Sequence, residues 1–328
     1  MQWTEIYRPK KLDAIIQHKH IIELLKAMIK TGNMPHLIFH GPSGTGKTTT
    51  ILALARELFR DKFRDRILEL NASDERGINI VRNKIIKYAK NSIDKDPNYP
   101  LFKLIILDEA DTMTNYAQAA LRKIMEEYSG ITRFCFICNY IDEIIEPIIS
   151  RCTKFKFQII SNDKIKKYLQ FIIKKENFKI EEKILDKIIK FSDGDIRKAI
   201  INLQNLHYFK NNKINKNIVY KLNNYVTPYQ FNIIWNTLIN ENIDNVIMLV
   251  NKIYISNINS VSIIKKIQKR ILKSKFNDEI KSLICVKSGL VLHNINNGAS
   301  ENIQLLNFLT YINGLINNII KNPLDFIN

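Results

Sequence analysis

The run Gly41-Pro42-Ser43-Gly44-Thr45-Gly46-Lys47-Thr48 constrains this chain more than any other feature. It fits the spacing GxxxxGK[ST], and its flanks give that spacing a structural context. His36 to His40 reads HLIFH, a short apolar run that breaks at Gly41-Pro42, and Thr48 to Phe59 carries helical periodicity. A strand, a glycine-rich turn and a helix make a phosphate cradle. The glycines let backbone N–H groups turn toward one point, and the helix N-terminus adds a favourable dipole. In such a loop the stretch Gly41 to Thr49 wraps the phosphates of a nucleotide, Lys47 reaches the β- and γ-phosphates, and the Thr48 hydroxyl ligates magnesium.

The cradle needs a sheet behind it. ILELN at 67–71, LIIL at 104–107 and RFCFIC at 133–138 are further strand candidates, separated by segments of helix length. That alternation predicts a parallel α/β sheet with helices on both faces, a fold that binds ligands at the carboxyl ends of its strands. LIILDEAD at 104–111 delivers Asp108 and Glu109 at such an end. Asp108 is expected to hold magnesium, directly or through water, and Glu109 to act as general base toward the attacking water. Either acid alone would be an ordinary solvated residue; with the P-loop upstream, the pair points to hydrolysis of a nucleoside triphosphate. A kinase would need a phosphate-acceptor site, and none is recognisable.

At 328 residues the chain exceeds what one core usually serves, so two or three domains are expected. After about residue 157 the strand signal fades, and segments 161–176, 181–191 and 195–207 carry helical periodicity, with Gly194 dividing the last two. From about 228 the pattern stays helical: Ile264, Ile267 and Ile271 share a face opposite Lys265, Lys266 and Lys269, and Leu305, Leu309, Ile312, Ile316 and Ile319 repeat the theme. Ile21, Leu24, Leu25 and Met28 predict a helix near the start, and the Asn-rich stretches near 211–217 and 294–297 read as polar loops. The expected division is an α/β domain over 1–157, a small helical domain over 158–227 and an all-helical remainder over 228–328.

Charge and cysteine content exclude less. Lys and Arg outnumber Asp and Glu by 50 to 32, a net +18 that favours a polyanion, either nucleic acid or an anionic membrane surface. A coding bias toward A/T-rich codons would inflate lysine as well. No run of 18 apolar residues occurs, and Met1-Gln2-Trp3-Thr4-Glu5 is neither a signal nor a transit sequence, so the chain reads as soluble and intracellular. Cys135 and Cys138 form a CxxC, but inside a strand residues three apart face opposite sides of the sheet, which favours buried thiols over a zinc site.

Several boxes occur in a fixed order: Trp3-Thr4-Glu5-Ile6-Tyr7-Arg8-Pro9-Lys10, the P-loop, Glu69-Leu70-Asn71-Ala72-Ser73-Asp74-Glu75-Arg76-Gly77, the Asp108–Asp111 box followed by Met113-Thr114, and Ser150-Arg151-Cys152. Through about residue 200 the chain resembles the replication factor C small subunits, the AAA+ subunits of the sliding-clamp loader. YSGITRFCFICNY at 128–140 with IIEPIISRC at 144–152 is most similar to the eukaryotic small subunit that keeps a full ATPase site.

The resemblance implies an AAA+ P-loop domain, a helical lid and an all-helical collar that assembles a hetero-pentamer. It implies ATP and Mg2+ as cofactors, and Tyr7, Arg8 and Pro9 as the lining of the adenine pocket, with Ile15 or Ile16 cradling the base. Asn139 matches sensor 1, whose amide orients the lytic water or contacts the γ-phosphate. Arg197 matches sensor 2 and closes the lid over the nucleotide. Arg151 matches the arginine finger, acting in trans on the neighbouring subunit's ATP. Arg82 and Lys87 match positions that contact the phosphates of primer-template DNA, and Thr114 and Asn115 can donate to phosphates from the start of the next helix. The stretch 90–103 matches a region near the surface that touches the PCNA-type clamp, and also reads as a variable surface loop. A nuclear location follows, with no membrane partner. One departure stands out: where the family has a second arginine, this chain has Lys123, which keeps the charge and loses the bidentate fork. Two rivals remain: another AAA+ DNA motor, such as a branch-migration helicase, and a non-catalytic scaffold subunit of the same loader.

Overall fold

A computed structural model of the chain describes residues 2–73, 78–91, 96, 99–209, 215–317 and 319. They form two compact units, Met1–Asn212 and Lys213–Asn328.

The first unit opens with α1 (Trp3–Ile6) and α2 (Lys19–Thr31), then runs through β1 (His36–His40), α3 (Lys47–Phe59), α4 (Phe63–Arg66), β2 (Ile67–Asn71) and α5 (Ile78–Lys90). It continues with β3 (Lys103–Asp108), α6 (Asn115–Glu127), β4 (Thr132–Cys138), α7 (Glu146–Ile149) and β5 (Cys152–Lys156). Helices α8 (Asn162–Lys175), α9 (Glu182–Ser192) and α10 (Ile196–Tyr208) complete it. The five strands are all parallel, in the order β2-β3-β4-β1-β5.

Strand alternation splits the hydrophobic interior into two cores, one on each face of the sheet. Leu37, Phe39, Leu104, Ile106, Cys135 and Ile137 pack with Ile51, Leu54 and Phe59 of α3 and Leu25 of α2. Ile38, Ile105, Leu107, Phe134, Phe136 and Cys138 face the other way, onto Ile85, Leu121, Ile124 and Ile148. Cys135 and Cys138 therefore lie in different cores, and burial raises both thiols above their ordinary range, Cys138 to about 12. A shared metal is geometrically excluded for this pair.

Four strands fall where the apolar runs predict them, and the fifth does not. β5 reads CTKFK; Phe155 is its one fully buried residue, and Lys154 and Lys156 are exposed. It pairs with β1 alone, so as an edge strand it carries charge instead of an apolar run. The face of α2 is also rotated from expectation: Ile22 and Leu25 are buried, while Leu24 is 55% exposed.

The second unit holds α11 (Lys216–Leu222), α12 (Pro228–Asn240), α13 (Ile243–Ile255), α14 (Ser260–Leu272), α15 (Asp278–Asn296) and α16 (Glu301–Ile316). Ile264, Ile267, Ile271, Leu305, Phe308, Leu309 and Ile312 share its core. Ile319 departs from the expected face: α16 ends at Ile316 and Ile319 is 63% exposed. The stretch 294–297, expected as a loop, is the last turn of α15 and its cap. Asparagine also serves this unit at the other ends of helices. Asn215, Asn242, Asn259 and Asn277 each accept a backbone N–H at an N-cap, and Thr227 with Gln230 makes a capping box on α12. No described helix is long and apolar enough to cross a membrane.

Candidate functional site

Many of the residues singled out in the sequence converge at the carboxyl end of the sheet. β1 ends at His40 and the chain turns at Gly41, whose φ of 138° and close approach to the Phe157 carbonyl exclude a side chain. Gly44, at φ 66°, lies so close to the Asp195 carboxylate that a methyl group would overlap it. The loop then feeds α3, which begins at Lys47.

Lys47 is 7% exposed, and its ammonium donates to Gly41 O at 2.6 Å, Pro42 O at 2.9 Å and the Asn139 side-chain oxygen at 2.9 Å. Burial pushes its pKa down, and Asp108 opposes that shift most strongly. Thr48 Oγ1 donates to Asp108 Oδ2 at 2.8 Å, so two hard oxygen donors meet beside the loop. Glu109, next in the chain, has left-handed backbone at φ 55° and ψ 38°, a conformation costly for a residue with a side chain.

Around this centre lies one cleft, whose lining takes in Tyr7, Arg8, Pro9, Ile15, Ile16, Ser43, Gly44, Thr45, Gly46, Lys47, Thr48, Thr49, Asp108, Glu109, Asn139 and Arg197. Gly41 and Pro42 lie behind it, accepting from Lys47. Arg197 comes from the first turn of α10, where Asp195 caps the helix through Lys198 N at 3.0 Å and Ile196 N reaches Gly44 O at 3.3 Å. The lid thus touches the P-loop directly.

The N-terminal arm is tied to the lid. Trp3 N donates to Gln204 Oε1 at 2.9 Å, and the Trp3 ring packs against His207 at 5.0 Å. The Tyr7 hydroxyl donates to Glu176 at 2.5 Å, and burial with that carboxylate pushes its pKa up to about 12. Tyr168 in turn donates to the Tyr7 carbonyl. The arm's anchors are Gln204, His207 and Tyr168, on helices α10 and α8, and Glu176, the residue that caps the end of α8.

Other expected residues lie elsewhere. Arg151 is outside the cleft, its guanidinium 2.7 Å from Glu126 Oε1 and donating to Pro147 O at 2.7 Å. Lys87 is exposed on α5, and Asn115 is exposed at the start of α6. Thr114 caps α6, accepting from Ala117 N at 3.3 Å, which leaves its hydroxyl hydrogen for another acceptor. Lys123 is exposed on α6. The Arg82 side chain, Asp74–Gly77 and most of the stretch 92–98 lie outside the described residues.

Two positions given no role from the sequence organise the site. Asp111 Oδ2 accepts from Asn139 N at 2.9 Å and Tyr140 N at 3.2 Å. Gln118 is 1% exposed; its amide donates to Met113 O at 3.1 Å and Glu143 O at 2.9 Å and accepts from Ile145 N at 2.8 Å. Gln118 carries a sequence signal only in hindsight, as a polar residue on the apolar face of an amphipathic helix.

Three family models match successive parts of the chain. Residues 37–160 match the model of the AAA family, "ATPase family associated with various cellular activities"; residues 167–206 match an "RCF1/5-like, AAA+ ATPase lid domain"; residues 226–311 match the "Replication factor C C-terminal domain". Replication factor C subunit 2 of Saccharomyces cerevisiae is 41% identical over 328 aligned residues, covering 95% of this chain and 93% of that protein. The replication factor C small subunit of Aeropyrum pernix is 40% identical over 95% of both chains, and a putative small subunit of Acanthamoeba polyphaga mimivirus is 39% identical over 95% and 96%. Among solved structures, the Thermotoga maritima RuvB Holliday junction branch migration motor has a TM-score of 0.53 at 18% identity, covering 70% of this chain and 79% of that one. At that identity the likeness speaks to fold alone.

Proposed function

The chain belongs to the replication factor C small-subunit family, and from that premise we propose that it binds and hydrolyses ATP as one subunit of a clamp loader that places a PCNA-type ring on primer-template DNA. The observation that carries the reading is the junction of Lys47, Thr48, Asp108 and Asn139 at one point of the sheet, with Glu109 beside it and Arg197 on the lid above. A scaffold subunit has no need of this set.

The donors fit magnesium. Thr48 Oγ1 and Asp108 Oδ2 are hard oxygens already 2.8 Å apart, and these two would hold the ion. When bound, magnesium neutralises charge on the β- and γ-phosphates. The protein's own groups do the rest. Lys47 exchanges the carbonyls of Gly41 and Pro42 for phosphate oxygens, stronger acceptors for a cation. Glu109 takes a proton from water, Asn139 orients that water, and Arg197 brings the lid down on the nucleotide. Arg151, outside this chain's own cleft, serves the ATP of a neighbouring subunit. Lys87, Thr114, Asn115 and Arg82 grip DNA phosphates, so binding has little sequence preference and weakens steeply with salt. The working domains are 1–157 for the nucleotide, 158–227 for the lid and 228–328 for assembly with the other subunits. The yeast relatives support a nuclear setting.

The test is ATP turnover by the assembled complex, with clamp and DNA present and the partner subunits' own P-loop lysines replaced. Lys47→Ala should lower turnover at least ~100-fold, the scale of losing one preorganised charged donor. Turnover within twofold of the parent complex would leave the chain a scaffold.

A further inference from the structure

We propose that Asp111 is a positioning residue for Asn139, fixing the sensor amide against the Lys47 ammonium. The inference rests on the reading of Asn139 given above. The sheet ladder beside β4 ends at Leu107↔Phe136 on one side and His40↔Cys138 on the other. The next two backbone N–H groups, of Asn139 and Tyr140, lie beyond any strand partner. One oxygen of Asp111 takes both, at 2.9 and 3.2 Å. The carboxylate thus extends the sheet's hydrogen bonding past its last strand pair, and a charged acceptor makes each bond stronger than a neutral one.

The consequence lies one bond further on. Asn139 and Tyr140 are both exposed, so packing does not fix this stretch of backbone. With its N–H anchored, Asn139 presents its side-chain oxygen to Lys47 Nζ at 2.9 Å. Asp111 sits on the 3₁₀ turn Ala110–Thr112 that follows β3, held by Thr112 N to Glu109 O at 3.0 Å and Met113 N to Ala110 O at 3.2 Å. The three acids at the end of β3 and just beyond it therefore serve three tasks: Asp108 meets Thr48, Glu109 borders the cleft, and Asp111 reaches sideways to the end of β4.

The experiment uses the full chain in its assembled complex, comparing Asp111→Ala, Asp111→Asn, Asn139→Ala and the Asp111→Ala/Asn139→Ala double variant. Readouts are kcat, KM for ATP, affinity for a fluorescent ATP analogue, and Tm. Asp111→Ala should lower kcat about 10- to 100-fold, the usual cost of losing an orienting partner, with analogue affinity within about twofold. Asp111→Asn keeps a carbonyl oxygen able to accept both N–H groups and should recover most of the loss. The double variant should fall no further than Asn139→Ala alone, because coupled residues are not additive. Equal losses in the alanine and asparagine variants would show that charge, not position, is what Asp111 supplies, and would overturn the proposal. So would full additivity in the double variant, or a parallel loss of analogue affinity. Where the alanine variant does not fold, the asparagine variant decides: turnover near the parent's supports the proposal, and turnover as low as that of Asn139→Ala ends it. A silent Asn139→Ala sinks the sensor reading, and this inference with it, whatever Asp111 does.

Discussion

The carboxyl end of the sheet in the first unit and the helical core of the second unit are built by opposite means. At the sheet end, a lysine is buried against carbonyls, a glutamate takes left-handed backbone, and backbone hydrogen bonds to the carboxylate of Asp111 and the amide of Gln118 hold loops in place. In the second unit the interior is mainly Ile, Leu and Val with Phe308, Trp235 and Tyr311, buried polar side chains such as Asn313 are the minority, and asparagines close helix ends. One region depends on individual atoms, where an alanine is expected to change chemistry more than stability. The other depends on volume and pattern, where an alanine is expected to cost stability first.

The largest expected effect separates the two regions most sharply. Arg151→Ala should reduce turnover at the neighbouring subunit's site by ~1,000-fold or more, as arginine fingers supplied in trans typically contribute. This chain's own affinity for ATP should stay unchanged, since Arg151 lies outside its cleft. Measuring turnover with only that neighbouring site competent checks it, and a loss of ATP binding at this chain's P-loop instead would place Arg151 in cis. The counterpart is Phe308→Ala, at a fully buried ring in the second unit, with an expected cost of about 3–5 kcal/mol. Calorimetry should show that loss in stability, and nucleotide binding by the surviving first unit should be unaffected.

The same contrast explains what could be read from the sequence. The P-loop, the Asp108–Glu109 pair and four strands were legible because glycines, paired acids and apolar runs announce themselves at short range. Arg197 and Arg151 needed the family boxes, since a lone arginine carries no local signal. β5 escaped because an edge strand wears charge, as Lys154 and Lys156 do. Asp111 was visible but had no assignable task, because its partners are 28 and 29 residues away in sequence and meet it only when β3 and β4 pair. In the second unit the helical face of Ile264, Ile267 and Ile271 was readable from spacing alone, whereas the end of α16 before Ile319 was not.

A smaller effect tests how the first unit carries its buried polar groups. His36 accepts from Phe134 N through Nδ1 at 3.1 Å, and burial with Arg133 nearby pushes its pKa down to about 4. The folded chain therefore holds this imidazole neutral where the unfolded chain would protonate it. Stability from this source is complete above about pH 6.5 and is lost as pH falls toward 4. His18 and His40, also lowered chiefly by burial, add in the same direction. For His36 the loss should be ~2 kcal/mol, several degrees in Tm, allowing for its partial exposure. His36→Gln should flatten the slope of Tm against pH between 6.5 and 4; an unchanged slope would place the titrating group elsewhere.

The smallest effect probes whether the asparagines of the second unit are more than a product of composition. Asn259 caps α14, its side chain accepting from Ser262 N at 2.8 Å, and α14 supplies Ile263, Ile264, Ile267 and Ile271 to the core. Asn259→Ala should cost about 1 kcal/mol, toward the low end for caps because the position is exposed. Asn259→Asp should recover that and add a little, since a carboxylate both accepts the N–H and complements the helix dipole. If alanine is silent and aspartate gains nothing, the cap is ornamental, and the pattern of buried isoleucines suffices to set where α14 begins. If both behave as expected, the second unit, too, is specified in part by single atoms, and what distinguishes it from the sheet end is their energetic weight: each one trims stability by a small step, whereas at Lys47 or Arg151 one residue decides whether turnover occurs.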